Sequence, residues 1–377
     1  MKSLYDKATF AGTLKNTIMG TISPARSSSP RELRSVVACG PETKPFPRRP
    51  GGLLISLDFE LHWGVRELVR LDAEERAKLL TARAGIPLIL DLFEEFSVHA
   101  TWATVGLLFA RSRKEAEAFR PAIRPSYCDV RLNPYQEPLG IDERDDPYHF
   151  APSLIAQIAQ RRGQEIASHS FSHYYCMEKG QTAEQFEADL QSAVAIAANS
   201  GYATKSYVFP RNQANSAYLS SLERSGIWSY RGNEVADTKK SAAREEQRRL
   251  YRRALRLLDA HVDIDGYQTF PWPNRPEFIS IPASRYLRPY HPVLHPFEDL
   301  RLRRIRVAMK HAAETGEIFH LWWHPEDFAS DLSQNLRVLR QVLEAFDYYR
   351  TQYGMVSLSM AEVSSLLSDE QFPARAS

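Results

Sequence analysis

Leu53-Leu-Ile-Ser-Leu-Asp58 is a nearly unbroken apolar run that ends in a carboxylate. Such a run reads as a strand buried on both faces, as in a parallel sheet covered by helices. Helical spacing follows over residues 73–96, with Gly85 and Pro87 expected to break it. A second strand is expected at 99–105, and others at 163–168, 206–209, 228–231, 278–281, 318–323 and 355–358. Helical pattern recurs at 108–119, 152–162, 183–199, 217–225, 297–315 and 332–353. Strands alternating with helices imply a largely parallel sheet with helical crossovers. About seven or eight mostly parallel strands suit an α/β fold of the irregular (β/α) barrel kind, with a doubly wound open sheet as the alternative. In both, chemistry belongs at the carboxyl ends of the strands.

The barrel is expected over residues 51–368, with a helical insertion around 233–276. Residues 1–50 are rich in proline and serine and read as a flexible lead-in, and 369–377 as a tail. Residues 120–150 read as a long irregular loop, which in a compact domain is usually functional. A 43% hydrophobic fraction is ample for a core, and a net charge of +2 gives no sign of nucleic acid or an anionic membrane as partner. The Lys/Arg-rich stretch 244–256 alternates with acidic and apolar residues and reads as a solvated helix face. Cys39, Cys128 and Cys176 are too few and scattered for a disulfide framework, and Cys176 reads as a free buried thiol. No apolar run approaches the roughly 18 residues of a transmembrane helix, and no secretory signal is evident. A cytoplasmic location is the expectation.

Three histidine pairs have a spacing of four: His169/His173, His291/His295 and His320/His324. If the chain turns helically after the strand at 163–168, the first pair suits one divalent ion. Prolines around His291 and His295 argue for an extended loop. His320 and His324 lie along a strand, which sets them roughly 13 Å apart and too far to share an ion. Four strand ends then deliver polar groups to one rim: Asp58-Phe-Glu60 followed by His62 and Trp63, the His169/His173 segment, Pro210-Arg211-Asn212-Gln213, and Trp322-Trp323-His324.

These residues resemble the motifs of the polysaccharide deacetylase (NodB homology) superfamily, of the carbohydrate esterase family four type. Ser168-His-Ser-Phe-Ser-His173 matches its histidine metal motif, and Ser56-Leu-Asp-Phe-Glu60 resembles its first motif, which ends in two adjacent aspartates. Pro210-Arg211 resembles the arginine motif and Leu321-Trp-Trp-His324 the late histidine motif. The resemblance runs from about Leu53 to about Leu367. It implies metal-dependent removal of an acyl group from an amino sugar, with a divalent ion, most often zinc, held by two histidines and a carboxylate. It further implies Asp58 as base, His324 as acid, and Arg211 paired with Asp58 to orient it and keep it ionised. Phe59 stands where the family's metal-binding aspartate would be, and Phe cannot ligate. Glu60, on the face of the strand shared with Asp58, is the expected third ligand beside His169 and His173. Asp58 itself is the competing choice, and His62 a further possible ligand.

The family's acidic residues that orient the acid histidine have Glu234, Asp237 and Asp327 as candidates. Aromatic rings suit a sugar face. Trp63 and Tyr174 are the first candidates for substrate contact, with Asn212 and Trp323 beside them. The implied function is N-deacetylation of an amino sugar or glycan precursor. A non-sugar amidohydrolase and a catalytically inactive carbohydrate-binding relative are the alternatives.

Overall fold

In the computed structural model, residues 49–233, 266–273 and 278–368 are described. The expected helix at 244–256 and the tail at 369–377 lie outside the described residues, as does the lead-in before Arg49. The opening apolar run becomes β1 (Gly52–Phe59), with every residue buried. Alternation along it decides what each side chain meets. Leu53, Ile55, Leu57 and Phe59 join the large core shared with the helices. Leu54 packs with Ala103, Val208, Ile279 and Ile281 inside the curled sheet. Ser56 and Asp58 share that inner side, nearer the carboxyl end.

Eight further strands follow: β2 (Ala100–Thr104), β3 (Gln164–Ser168), β4 (Ser206–Val208), β5 (Ser229–Gly232), β6 (Ile279–Pro282), β7 (Arg285–Tyr286), β8 (Ile318–Trp323) and β9 (Val356–Leu358). Their order is β6-β5-β4-β3-β2-β1-β8-β7, with all neighbours parallel. β9 pairs with Gly52–Leu54 of β1, while β2 pairs with Ser56–Phe59. The two ends of this order, β6 and β7, are joined by only Ala283 and Ser284. Ala283 N–H donates to Gly232 O at 3.2 Å and Ser284 N–H to His320 O at 2.8 Å. That link turns the sheet into an irregular (β/α) barrel. β7 escapes a sequence reading because two residues, Arg and Tyr, carry no periodicity.

The helices are α1 (Ala73–Glu95), α2 (Arg113–Ala118), α3 (Pro152–Gln160), α4 (Ala183–Asn199), α5 (Leu219–Arg224), α6 (Glu298–Thr315), α7 (Leu332–Tyr353) and α8 (Met360–Ser368). α4 and α7 fall where their apolar spacing puts them. α1 does not break at Gly85 and Pro87. Ile86, Ile89, Leu90 and Phe93 bury one continuous face, and that packing outweighs the lost backbone bond. Gly85 lets Leu332, at the start of α7, pack close to the helix, since a Cβ there would lie 2.8 Å from Leu332 Cδ1 and displace the end of that side chain. His291 caps a 3-10 helix (Pro292–Phe297) that contains His295, so the segment is not an extended loop. Pro292 sits in its first turn, where no N–H is required. α8 follows β9 and was not expected.

Candidate functional site

Parallel register brings the strand ends to one rim: Asp58 lies beside Ala103, Thr104 beside Ser168, Ser168 beside Tyr207, Val208 beside Arg231, and Leu57 beside Trp323. Just past β3, His169 and His173 come together with ring centroids 5.2 Å apart. The turn between them is not helical. Ser170 and His173 take positive φ values of 61° and 57°, a left-handed conformation that non-glycine residues seldom adopt. Asp189 of α4 holds this turn, accepting from Phe171 N–H at 2.8 Å and from Ser172 Oγ at 2.5 Å.

Asp189 is fully buried, and burial pushes its carboxyl up to about 6 despite those two bonds. The native state therefore binds more protons than the unfolded chain between about pH 4 and this raised value. The contribution is present at low pH and lost as pH rises through about 6. Urea unfolding of wild type and Asp189→Asn between pH 4 and 7 should show it. Stability of the wild type is expected to fall with pH relative to the variant by an amount on the order of 2 kcal/mol.

Glu60 faces both histidines. Its Oε1 lies 2.8 Å from His169 Nε2 and 3.1 Å from His173 Nε2. The outward nitrogens are already engaged. His169 Nδ1 donates to Val208 O at 2.8 Å, and His173 Nδ1 to the Tyr175 hydroxyl at 3.1 Å. That hydroxyl in turn donates to Glu67 at 2.9 Å. Both rings are thus fixed with Nε2 turned toward Glu60, the arrangement in which a second bond orients a ligating histidine. Burial lowers the His173 imidazole to about 4, against the pull of Glu60, and keeps it neutral. Burial alone would raise the Glu60 carboxyl, but His173, His324 and the bond to His169 hold it well below the usual carboxylate range. Gly64 makes room for that carboxylate, since a Cβ there would stand 1.7 Å from Glu60 Oε2. Glu326 fixes the turn, accepting from Glu60 N–H at 3.1 Å and Leu61 N–H at 2.5 Å. Two imidazoles and one carboxylate, all buried, form a donor set that fits a divalent transition ion with a position left open.

Asp58 is held by a different arginine from the one expected. Arg231, at the end of β5, is fully buried and donates to both Asp58 oxygens at 2.6 Å. It also reaches Ser56 Oγ at 3.0 Å and Asn212 Oδ1 at 2.9 Å, and lies 4.4 Å from the Trp322 ring. A directed chain of bonds supports it from below: His320 Nδ1 donates to Pro282 O at 3.0 Å, and Ser56 Oγ donates to His320 Nε2 at 2.8 Å. Arg211 instead pairs with Glu67 and lies 4.1 Å from the Tyr175 ring, with its side chain partly exposed. The motif places it on the rim, with φ of 55°, where it cannot also fill the interior. Replacing Arg231 by Met leaves the Asp58 charge buried without its partner. Such a change is expected to cost about 3–5 kcal/mol of unfolding free energy, whereas Arg211→Met should cost less, since Arg211 is partly exposed and Glu67 keeps the Tyr175 hydroxyl as a donor. Urea titration of the two variants separates the arginines.

His324 follows β8. Its Nε2 lies 3.9 Å from Asp58 Oδ2 and 3.8 Å from Glu60 Oε1, and its Nδ1 bonds Asp327 Oδ2 at 3.0 Å. The Tyr286 hydroxyl donates to the same Asp327 oxygen at 2.5 Å. Burial would lower the imidazole, but Glu60, Asp327 and Asp58 raise it to about 10. Asp327 is thus the carboxylate on the histidine, while Glu234 and Asp237 lie outside the described residues.

Three of the expected substrate-facing aromatics are core residues. Trp63 is buried and donates through Nε1 to His149 O at 3.0 Å, Tyr174 is buried with its hydroxyl on Gln181 at 2.9 Å, and Trp323 stacks on Phe328. A strand end exposes alternate residues, so the neighbour Trp322 faces the rim beside His324, with ring centroids 5.8 Å apart. Asn212 stays at the rim through its bond to Arg231. Phe59 is buried against Trp102, which accounts for an apolar residue between two carboxylates. Cys176 is free and buried, as expected. His62 turns away from Glu60 toward His149. Arg231 could have been found by the same strand-end rule that selected Asp58, because it closes an expected strand.

Residues 81–229 match the polysaccharide deacetylase family. That stretch includes His169 and His173. A protein from Mycobacterium smegmatis assigned to the polysaccharide deacetylases aligns in structure with a TM-score of 0.54 at 12% identity, covering 91% of this chain and 99% of its own. One from Pseudomonas aeruginosa PAO1, likewise assigned, gives 0.51 at 12% identity over 88% and 96%. At that identity they speak to the fold. No curated protein sequence matches the chain. The family match over residues 81–229, the fold and the order of the motifs agree in likening this chain to the polysaccharide deacetylases.

Proposed function

We propose that this chain is a metal-dependent hydrolase that removes an N-acetyl group from an amino sugar or glycan precursor. The observation that carries this reading is the convergence of Glu60 Oε1 on the inward nitrogens of His169 and His173, at 2.8 and 3.1 Å, beside a carboxylate and a histidine that are each held from behind. Glu60, His169 and His173 would hold the ion, with zinc the best match to two nitrogens and one oxygen. When bound, it supplies Lewis acidity to the amide carbonyl and lowers the pKa of water.

The remaining work falls to side chains. Asp58 is the base. Each of its oxygens gives one lone pair to Arg231 and keeps another, so it can take a proton from the attacking water. Arg231 fixes the orientation of that carboxylate. His324 is the acid, with Asp327 holding Nδ1 so that the Nε2 proton faces the site. In the reaction water oxygen bonds the acyl carbon and the C–N bond breaks. One water proton passes to Asp58 and the His324 Nε2 proton goes to the departing nitrogen. Acetate and a free amine are the products. Glu60 is favoured over Asp58 as third ligand because its Oε1, and no Asp58 oxygen, lies within 3.1 Å of both His169 Nε2 and His173 Nε2. Trp322 and Asn212 are the nearest candidates to meet the sugar.

Purified protein incubated with N-acetylated sugars and zinc should release acetate and amine in equal amounts, and chelation should stop it. Hydrolysis of a non-sugar amide with no acetate from any sugar would transfer the site to the amidohydrolase reading. A protein that binds sugar and hydrolyses neither would be the inactive relative.

A further inference from the structure

A second set of metal-ligating side chains lies outside the site just described. His62 is in the 3-10 helix that follows Glu60 (Leu61–Gly64), Glu137 ends the next one but two (Pro134–Gln136), and His149 precedes α3. They are far apart in sequence yet offer three donors within 4.8 Å of one another. Both histidines are buried to 1% exposure. His62 Nε2 stands 3.7 Å from Glu137 Oε1, and His149 Nε2 stands 3.6 Å from the same oxygen.

Those separations are too long for charge-assisted hydrogen bonds, which close to about 2.7–2.9 Å. They are near the spacing of about 3.3 Å that two donors take when each sits about 2.0–2.1 Å from one tetrahedral ion. His149 is built for the task on its other side. Its Nδ1 bonds the Asp146 carboxylate at 3.0 and 2.9 Å, which fixes the ring and turns Nε2 toward Glu137. That Nε2 is buried and makes no hydrogen bond. An orphan of this kind usually costs about 1–3 kcal/mol and calls for an occupant. The backbone is tied at the same place, with His62 N–H donating to Tyr148 O at 3.2 Å. A cavity of about 470 Å³, lined by Glu137, Asp146 and His149 together with Arg70 and Arg76, gives access.

We propose that His62, Glu137 and His149 form a second divalent-cation site, distinct from the Glu60 site and clamping the 120–150 loop to the turn that carries Glu60. Two imidazoles and one carboxylate select a zinc-like ion over calcium or magnesium, which prefer all-oxygen sets. The loop, expected from the sequence to be functional, would then hold β1's end in place through a metal.

Zinc counting on the full chain tests this. Protein freed of metal by chelation is dialysed against zinc, and bound ions per chain are measured by inductively coupled plasma mass spectrometry. Wild type is expected to hold two ions, and the His169→Ala, His173→Ala double variant one. Adding His149→Gln to the double variant should reduce the count to zero, with thermal melting to confirm a folded chain. A double variant that holds no zinc, or a triple variant that keeps one, would overturn the second site. If alanine impairs folding, the His169→Gln, His173→Gln pair serves the same count. The count on the double variant does not depend on catalysis, so it stands whether or not acetate is released.

Discussion

Asp58→Asn should keep its metal and lose turnover by a factor of about 10²–10⁴, the range for removing a positioned base. The two halves of that result follow from different neighbours. Metal retention follows because the inward nitrogens of His169 and His173 face Glu60 Oε1, and both Asp58 oxygens face Arg231. Loss of turnover follows because the amide of Asn cannot accept a proton from water at neutral pH. The variant keeps one acceptor for Arg231, so gross unfolding is not expected, although Arg231 loses its countercharge. Zinc content and acetate release measured on one preparation check both halves. If zinc is lost with activity, Asp58 is itself a ligand.

The second large effect concerns the histidines. His169→Ala with His173→Ala should remove one zinc per chain and all metal-dependent acetate release. Each ring is aligned by a partner behind it, Val208 O for one and Tyr175 with Glu67 for the other. Replacing these partners is the milder version of the same experiment. Changes in the shell behind a metal ligand typically cost 10–100-fold in metal affinity or activity. Tyr175→Phe is therefore expected to weaken zinc binding by about that factor without abolishing it. Equilibrium dialysis against competing chelator measures the difference. An unchanged affinity would mean that the His173 ring is oriented by packing alone.

Much of this was legible in the sequence, for identifiable reasons. β1 and β8 were readable because a strand covered on both faces needs an unbroken apolar run. α4 and α7 were readable because a long amphipathic face fixes both ends. β7 was not, since two residues hold no pattern, and α1 passes through Pro87 because tertiary packing overrides a local breaker. At the site, the rule that chemistry sits at strand ends selected Asp58, Glu60, His169, His173 and His324. It failed on the arginine, where motif likeness drew attention to Arg211 and away from Arg231 at the end of an expected strand. It also failed on Trp63, Tyr174 and Trp323. An aromatic beside a motif has no marking for inward or rimward, and only register shows that Trp322 faces the site while Trp323 faces the core. Glu326 and the His62–Glu137–His149 group were out of reach, because loop geometry joins residues that no periodicity relates.

The division of labour at the end of β1 is tested most directly by the zinc affinity of Glu60→Gln beside that of Asp58→Asn, each measured in the His149→Gln background so that one site is read. Glu60→Gln should weaken binding by a hundredfold or more, while Asp58→Asn should leave it within about threefold of the parent. Near-normal affinity in Glu60→Gln together with loss in Asp58→Asn would contradict the assignment and make Asp58 the third ligand.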